Sequence, residues 1–251
     1  MENVRFFGTY RVPKDKTKTM TLAALRLGYR GIDCAELYRN EKFVMEAVLE
    51  FLDERKDVTR DDLFITTKIR KFSPEDVNER VSIFKKIDCL LIHFPTTEYV
   101  ETWKALNEYV KNNNLNIKHL GVSNFKTEHL EAISSLPYSI YCNQIEITPF
   151  WKRNDIVLYC KKNNIKITSH SPLVKGEKKD NSVLQRLSVK YNCSWANILL
   201  AFCFQQNYIP LPRSCNEEHL KENLTIPTLD WIDIQSLENL DEQFATHPQY
   251  K

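Results

Sequence analysis

Residues 63–93 read LFITTKIRKFSPEDVNERVSIFKKIDCLLIH. The stretch opens on Leu63–Lys68, a short run dominated by apolar and β-branched residues, the composition of a strand buried on both faces. Ser73-Pro74-Glu75-Asp76 then starts a helix: serine can cap it, proline suits its first turn, and the two acids face the positive end of the helix dipole. Asp88–Ile92 is a second short apolar strand, and it ends at His93. A strand, a capped helix and another strand in one short stretch predict a βαβ unit with parallel strands.

The same alternation extends in both directions. Strands are expected at Arg5–Tyr10, Gly31–Asp33, Leu63–Lys68, Asp88–Ile92, Lys118–Val122, Ser139–Ile145, Lys166–Ser169 and Tyr208–Ile209. Helices are expected at Lys16–Leu27, Glu41–Arg55, from Ser73, and at Glu98–Asn112, Lys126–Ser135, Asn154–Lys161, Ser182–Lys190, Ser194–Gln205, Glu217–Asn223 and Trp231–Gln243. In the first of these, Met20, Ala23, Ala24 and Leu27 have the spacing of one buried face. Eight strands, each followed by a helix, in 251 residues predict an α/β fold: a (β/α)8 TIM barrel, read as a single domain over residues 1–251. An open doubly wound sheet is the alternative that the pattern alone leaves standing. The closest approach to a linker is the charged stretch 175–181 (KGEKKDN).

The bulk composition narrows the function. Apolar residues make up 42% and charged residues 27%, with a formal net charge of +2 and no basic block, so nucleic-acid binding is not expected. No apolar run approaches the ~20 residues of a membrane span. The first sixteen residues carry no secretory pattern, which predicts a cytoplasmic protein. Seven cysteines, at 34, 89, 142, 160, 193, 203 and 215, show no CxxC spacing and no histidine pairing, and read as reduced thiols. The sequons at Asn192 and Asn223 are then chance matches. Only five glycines occur, in no G-x-G-x-x-G or P-loop pattern, which disfavours a Rossmann or P-loop nucleotide site.

In a barrel the carboxyl ends of the strands converge on one cavity. Those ends are unusually polar here: Asp33 with Tyr38 in the next loop, Lys68, His93, Ser123-Asn124, Asn143-Gln144 with Glu146, and Ser169-His170-Ser171. Singly, each has a bland reading. Asp33 could cap a helix, Lys68 could be a surface residue, Tyr38 could simply pack, and His93 could be a hydrogen-bonded core histidine. Jointly they assemble a phenol, an ammonium that makes the phenol a better acid, a carboxylate that keeps the ammonium charged, and an imidazole able to bond a substrate oxygen. That set suits protonation of an alkoxide forming as hydride reaches a carbonyl. The histidines are scattered along the chain and no strand supplies several carboxylates, so no metal site is expected.

At these residues the chain resembles the aldo-keto reductase superfamily, over nearly its whole length. Gly28-Tyr29-Arg30-Gly31-Ile32-Asp33-Cys34-Ala35-Glu36-Leu37-Tyr38 is similar to the family's first signature. Phe64–Lys68, Leu90–Pro95, Gly121–Phe125, Asn143–Glu146, Ser171-Pro172-Leu173 and Ile209–Ser214 are similar to further family blocks in the same order. The resemblance implies that Tyr38 is the general acid, tuned by Lys68 paired with Asp33, and that His93 orients the carbonyl oxygen of a small-molecule substrate. It implies NADPH as cofactor, with NADH possible. Ser123, Asn124 and Gln144 would hold the carboxamide, and His170 would face the nicotinamide. Ser171, Leu173, Arg213, Ser214, His219 and Asn223 would line the remainder of the cofactor.

The sequence departs from the family pattern in places. His170 stands where tyrosine is usual, and offers a smaller face. Arg213 and His219 stand where a lysine and an arginine usually meet the 2′-phosphate. Arg213 can fork onto phosphate beside Ser214, whereas His219 is the weaker anchor; the helix start at Asn216 is a further phosphate seat. The loops that shape the substrate mouth are short and the chain stops soon after Trp231, which predicts a wide mouth with loose specificity. The barrel-plugging N-terminal hairpin is missing from the pattern. A monomer is expected. A non-catalytic nucleotide-binding barrel and a barrel metallohydrolase are the competing readings.

Overall fold

The computed structural model describes residues 4–250; the outermost residues of the domain read from the sequence, 1–3 and 251, lie outside the described residues. Eight strands run in parallel in sequence order: β1 (Phe6–Gly8), β2 (Gly31–Asp33), β3 (Phe64–Ile69), β4 (Cys89–Ile92), β5 (Leu120–Ser123), β6 (Cys142–Glu146), β7 (Lys166–His170) and β8 (Ile209–Leu211). Each pairs with the next. The ring closes where the Gly8 amide donates to the Pro212 carbonyl at 2.8 Å. The sheet is therefore a nearly closed barrel, and the open-sheet alternative is set aside.

Helices α1 (Lys14–Arg26), α2 (Glu41–Glu54), α3 (Pro74–Phe84), α4 (Tyr99–Asn112), α5 (Thr127–Ser134) and α6 (Asn154–Lys162) link the first seven strands. Helices α7 (Ser182–Tyr191) and α8 (Trp195–Gln205) lead into β8, and α9 (Glu217–Glu222) and α10 (Trp231–Glu238) follow it. The start of α3 follows the sequence reading: Ser73 Oγ accepts the Asp76 amide at 3.0 Å, with Pro74 behind it. Asn181 and Ser194 cap α7 and α8 in the same way. None of the helices among the described residues is long and apolar enough to cross a membrane.

The main core lies between sheet and helices. Ile65, Leu90, Ile92 and Val122 point outward onto Val48, Phe51, Val77, Trp103 and Leu130, all buried. Inside the barrel, Cys89, Leu91 and Cys142 form one layer, and Phe6, Ile209 and Leu211 another. This interior is tight enough to require two glycines. A Cβ on Gly31 would sit 2.6 Å from the Phe6 ring, and one on Gly121 would sit 2.7 Å from the Cys142 carbonyl oxygen. At the open end, the register places Asp33 beside Thr66, Gln144 beside Thr168, and His170 between Glu146 and Leu211.

Most elements differ from their expected bounds by a residue or more, the last strand and the last helix among them. The last strand begins one residue later and runs through Pro210 to Leu211 in parallel with β7; its proline has no N–H to give, and the hydrogen bond that closes the ring uses the Pro212 carbonyl instead. The last helix stops at Glu238 instead of continuing to Gln243. The chain turns back there: Asp241 accepts the Lys152 amide at 3.2 Å, and the Phe244 amide donates to Phe150 at 3.0 Å.

Candidate active site

The polar cluster at the carboxyl ends is built around Lys68. Strand β3 points its side chain into the barrel, where it is fully buried. Lys68 Nζ donates to Asp33 Oδ1 at 2.6 Å and to the Cys34 carbonyl at 2.9 Å, and it lies 3.2 Å from Tyr38 Oη. All three ammonium hydrogens thus have a partner, and the third is the phenol. Asp33 ends β2, and its other oxygen accepts Gln144 Nε2 at 2.8 Å. Tyr38 comes from the single 3-10 turn Glu36–Tyr38 after β2. Its ring meets His93 edge-on at 5.7 Å between centroids.

Burial and charge set the protonation states. Burial opposes charge on Lys68, but the Asp33 carboxylate overcomes that and holds the ammonium above its ordinary value. Burial raises Tyr38 above the usual phenol range, with the Lys68 ammonium pulling the other way. The ammonium does pull the phenol toward greater acidity, as the sequence implies, yet desolvation outweighs it. Tyr38 is therefore a protonated donor at neutral pH. Burial, with Lys68 nearby, pushes His93 down to about 3, so the imidazole is neutral. His93 Nδ1 is buried with no hydrogen-bond partner among the described residues.

A cavity of 720 Å³ runs from this cluster across the barrel mouth. Asp33, Tyr38, His93, Ser123, Asn124, Gln144, His170, Ser171, Leu173, Arg213, Ser214, His219 and Asn223 all line it, while Lys68 stands behind Asp33 and Tyr38. The three residues expected at a carboxamide are knitted together. Ser123 Oγ donates to the Gln144 carbonyl at 2.9 Å, Asn124 Nδ2 donates to the His93 carbonyl at 3.0 Å, and Asn124 Oδ1 meets His170 Nε2 at 3.0 Å. Arg213 is exposed and pairs with no carboxylate among the described residues. Ser214 closes a turn with Asn216, which caps α9. Helix α9 has only six residues with Glu217 and Glu218 in its first turn, so the phosphate seat expected at its start is not a favourable one and Arg213 is left to carry that role.

Some cavity residues escaped the sequence reading. Tyr10 lies two residues past β1, its ring 5.0 Å from that of Tyr38, at a strand end like the other site residues. His247 carried no signal, because it arrives from the folded-back tail. The Thr246 amide donates to Glu146 Oε1 at 2.6 Å, the His247 amide to Glu146 Oε2 at 3.1 Å, and Lys175 Nζ to the Thr246 carbonyl at 2.6 Å. The tail therefore forms part of the mouth, with His247 and Gln249 lining the cavity on this side. The tail also brings His247 to His170, a pairing that the spacing of the histidines along the chain does not show.

Comparison with known proteins agrees with this architecture. The sequence model of the aldo/keto reductase family matches residues 4–243. An uncharacterised oxidoreductase of Schizosaccharomyces pombe is 35% identical over 95% of this chain and 90% of its own. A glyoxal reductase of Bacillus subtilis is 31% identical, covering 96% of this chain and 90% of its own. Among solved structures, an aldo-keto reductase of Bombyx mori in complex with NADP superposes with a TM-score of 0.87 at 25% identity, covering 97% of this chain and 90% of the other.

Proposed function

The chain belongs to the aldo/keto reductase family of nicotinamide-dependent oxidoreductases, and from that premise we propose that it reduces aldehydes or ketones to alcohols with NADPH, Tyr38 supplying the proton. The observation that carries this reading is the bonded line of Asp33, Lys68 and Tyr38, with 2.6 Å and 3.2 Å between successive groups.

A nicotinamide nucleotide fits the residues present. The cavity has the volume of a ligand site, Ser123, Asn124 and Gln144 line it with amide and hydroxyl groups, and Arg213 lines it with no acidic partner among the described residues. When bound, NADPH supplies hydride to the carbonyl carbon. The chain's own residues do the rest. His93, neutral, and the Tyr38 hydroxyl converge on the position of the carbonyl oxygen and stabilise the charge that develops there. Tyr38 gives up its proton because an alkoxide is a stronger base than a phenolate. Lys68 then faces the phenolate at hydrogen-bond distance, and Asp33 keeps Lys68 charged throughout. Arg213 with Ser214 favours the 2′-phosphate of NADPH over NADH. One chain supplies every group named here, which suits a monomeric working unit, and the seven free thiols suit a cytoplasmic setting.

The test is a panel of aldoses, aromatic aldehydes, ketosteroids and diketo-sugars with NADPH and NADH in parallel. Oxidation of NADPH by at least one carbonyl class, faster than with NADH, is expected. No turnover with any class and either nucleotide contradicts the proposal.

A further inference from the structure

Glu146 plays no part in the chemistry above, yet its surroundings are unusual. It is the last residue of β6 and almost fully buried. No lysine or arginine forms an ion pair with it among the described residues; its partners are two tail amides and His247 Nδ1, the latter at 3.2 Å. The register of β6 and β7 sets His170 directly beside it. The rings of His170 and His247 meet edge-on at 5.5 Å. One ligand atom from each of the three residues lies within 4.8 Å of the others.

We propose that Glu146, His170 and His247 form a binding site for a zinc-type divalent ion at the rim of the barrel. Two imidazoles and one carboxylate are a donor set that zinc prefers, leaving a fourth position for water from the cavity. Zinc–ligand distances of about 2.0–2.2 Å put tetrahedral donors about 3.4 Å apart, so donor atoms at the full 4.8 Å must close by roughly 1.4 Å. His247 can supply that movement, because it sits on a tail attached to the rim by a handful of hydrogen bonds.

Occupation has a consequence at the mouth. A bound ion pins the tail to β6 and β7, and draws the His170 ring from Asn124, which it meets at 3.0 Å. His170 is the residue proposed to face the nicotinamide, so zinc and NADPH compete. That consequence rests on the proposed cofactor seat; the ion site itself does not.

The experiment is calorimetric titration of the full chain, freed of metal by chelation, with zinc chloride in the absence of nucleotide. Saturable binding of one ion per chain is expected, weakened about tenfold or more by His247→Ala and by Glu146→Gln. If Glu146→Gln folds poorly, truncation after Ala245 removes His247 instead. Cobalt(II) reports the donor atoms: nitrogen and oxygen ligation shows no thiolate charge-transfer band. Binding that survives both substitutions, a thiolate band lost in a Cys193→Ser/Cys215→Ser variant, or no saturable binding overturns the site. A zinc-dependent loss of NADPH affinity in the wild type alone then reports on the shared rim.

Discussion

Replacing Lys68 by methionine should damage stability and activity together, and the structure sets the size of each loss. The side chain is fully buried, and its ammonium faces Asp33 at 2.6 Å. Without it the Asp33 carboxylate, itself buried, retains among the described residues only the Gln144 amide as a side-chain partner. Removing one member of a buried ion pair costs about 3–5 kcal/mol, because the other charge is left uncompensated. For a chain of this length each kcal/mol lowers Tm by roughly 2–4 °C, so a fall of about 6–20 °C is expected by thermal denaturation. The double variant Asp33→Asn/Lys68→Met leaves no charge stranded and should recover much of that loss, giving a coupling energy of about 1–3 kcal/mol. Turnover should not recover, since the positive charge facing the phenolate is still missing. A Lys68→Met protein melting within 2 °C or so of wild type, or a double variant no more stable than the single, would refute the reasoning.

Further consequences concern acid stability, packing and cofactor choice. His93 titrates near 6.5 when unfolded and is pushed down to about 3 by burial when folded, so the unfolded chain binds the proton more readily. Its contribution is complete above about 6.5 and declines as pH falls toward 3, by at most about 1.4 kcal/mol per unit; His93→Asn should show a shallower acid loss in denaturant titrations between those values. Gly121→Ala should cost about 1–3 kcal/mol, since the new methyl meets the Cys142 carbonyl at 2.7 Å, and an unchanged denaturation midpoint would show that the strands give way. Arg213→Ala should raise KM for NADPH by about tenfold while leaving KM for NADH nearly unchanged, which steady-state kinetics with both nucleotides will read.

The barrel was legible because its strands are short apolar runs and its helices begin at recognisable caps, as at Ser73-Pro74. The site was legible for a related reason. Once the strands close into a ring, Asp33, Lys68, His93 and Gln144 must meet, whatever their separation in sequence. What stayed hidden depends on packing between distant segments. Thr67 faces outward and bonds Glu41 of α2, whose carboxylate lies 3.0 Å from Arg80 of α3, a buried array that periodicity does not reveal. The tail's return to Glu146 joins residues a hundred positions apart through backbone amides, which carry no sequence signature. The net rise in the Tyr38 pKa was also out of reach, because it depends on how closely the ring is enclosed.

The central claim is that the Tyr38 hydroxyl, 3.2 Å from the Lys68 amine, delivers the proton. Its most direct test is single-turnover oxidation of bound NADPH by a reactive aldehyde in wild type and Tyr38→Phe, after fluorescence titration shows that both bind NADPH equally. The account predicts a loss of about 10²–10⁴-fold in the rate of the chemical step. Equal rates in the two proteins would contradict it.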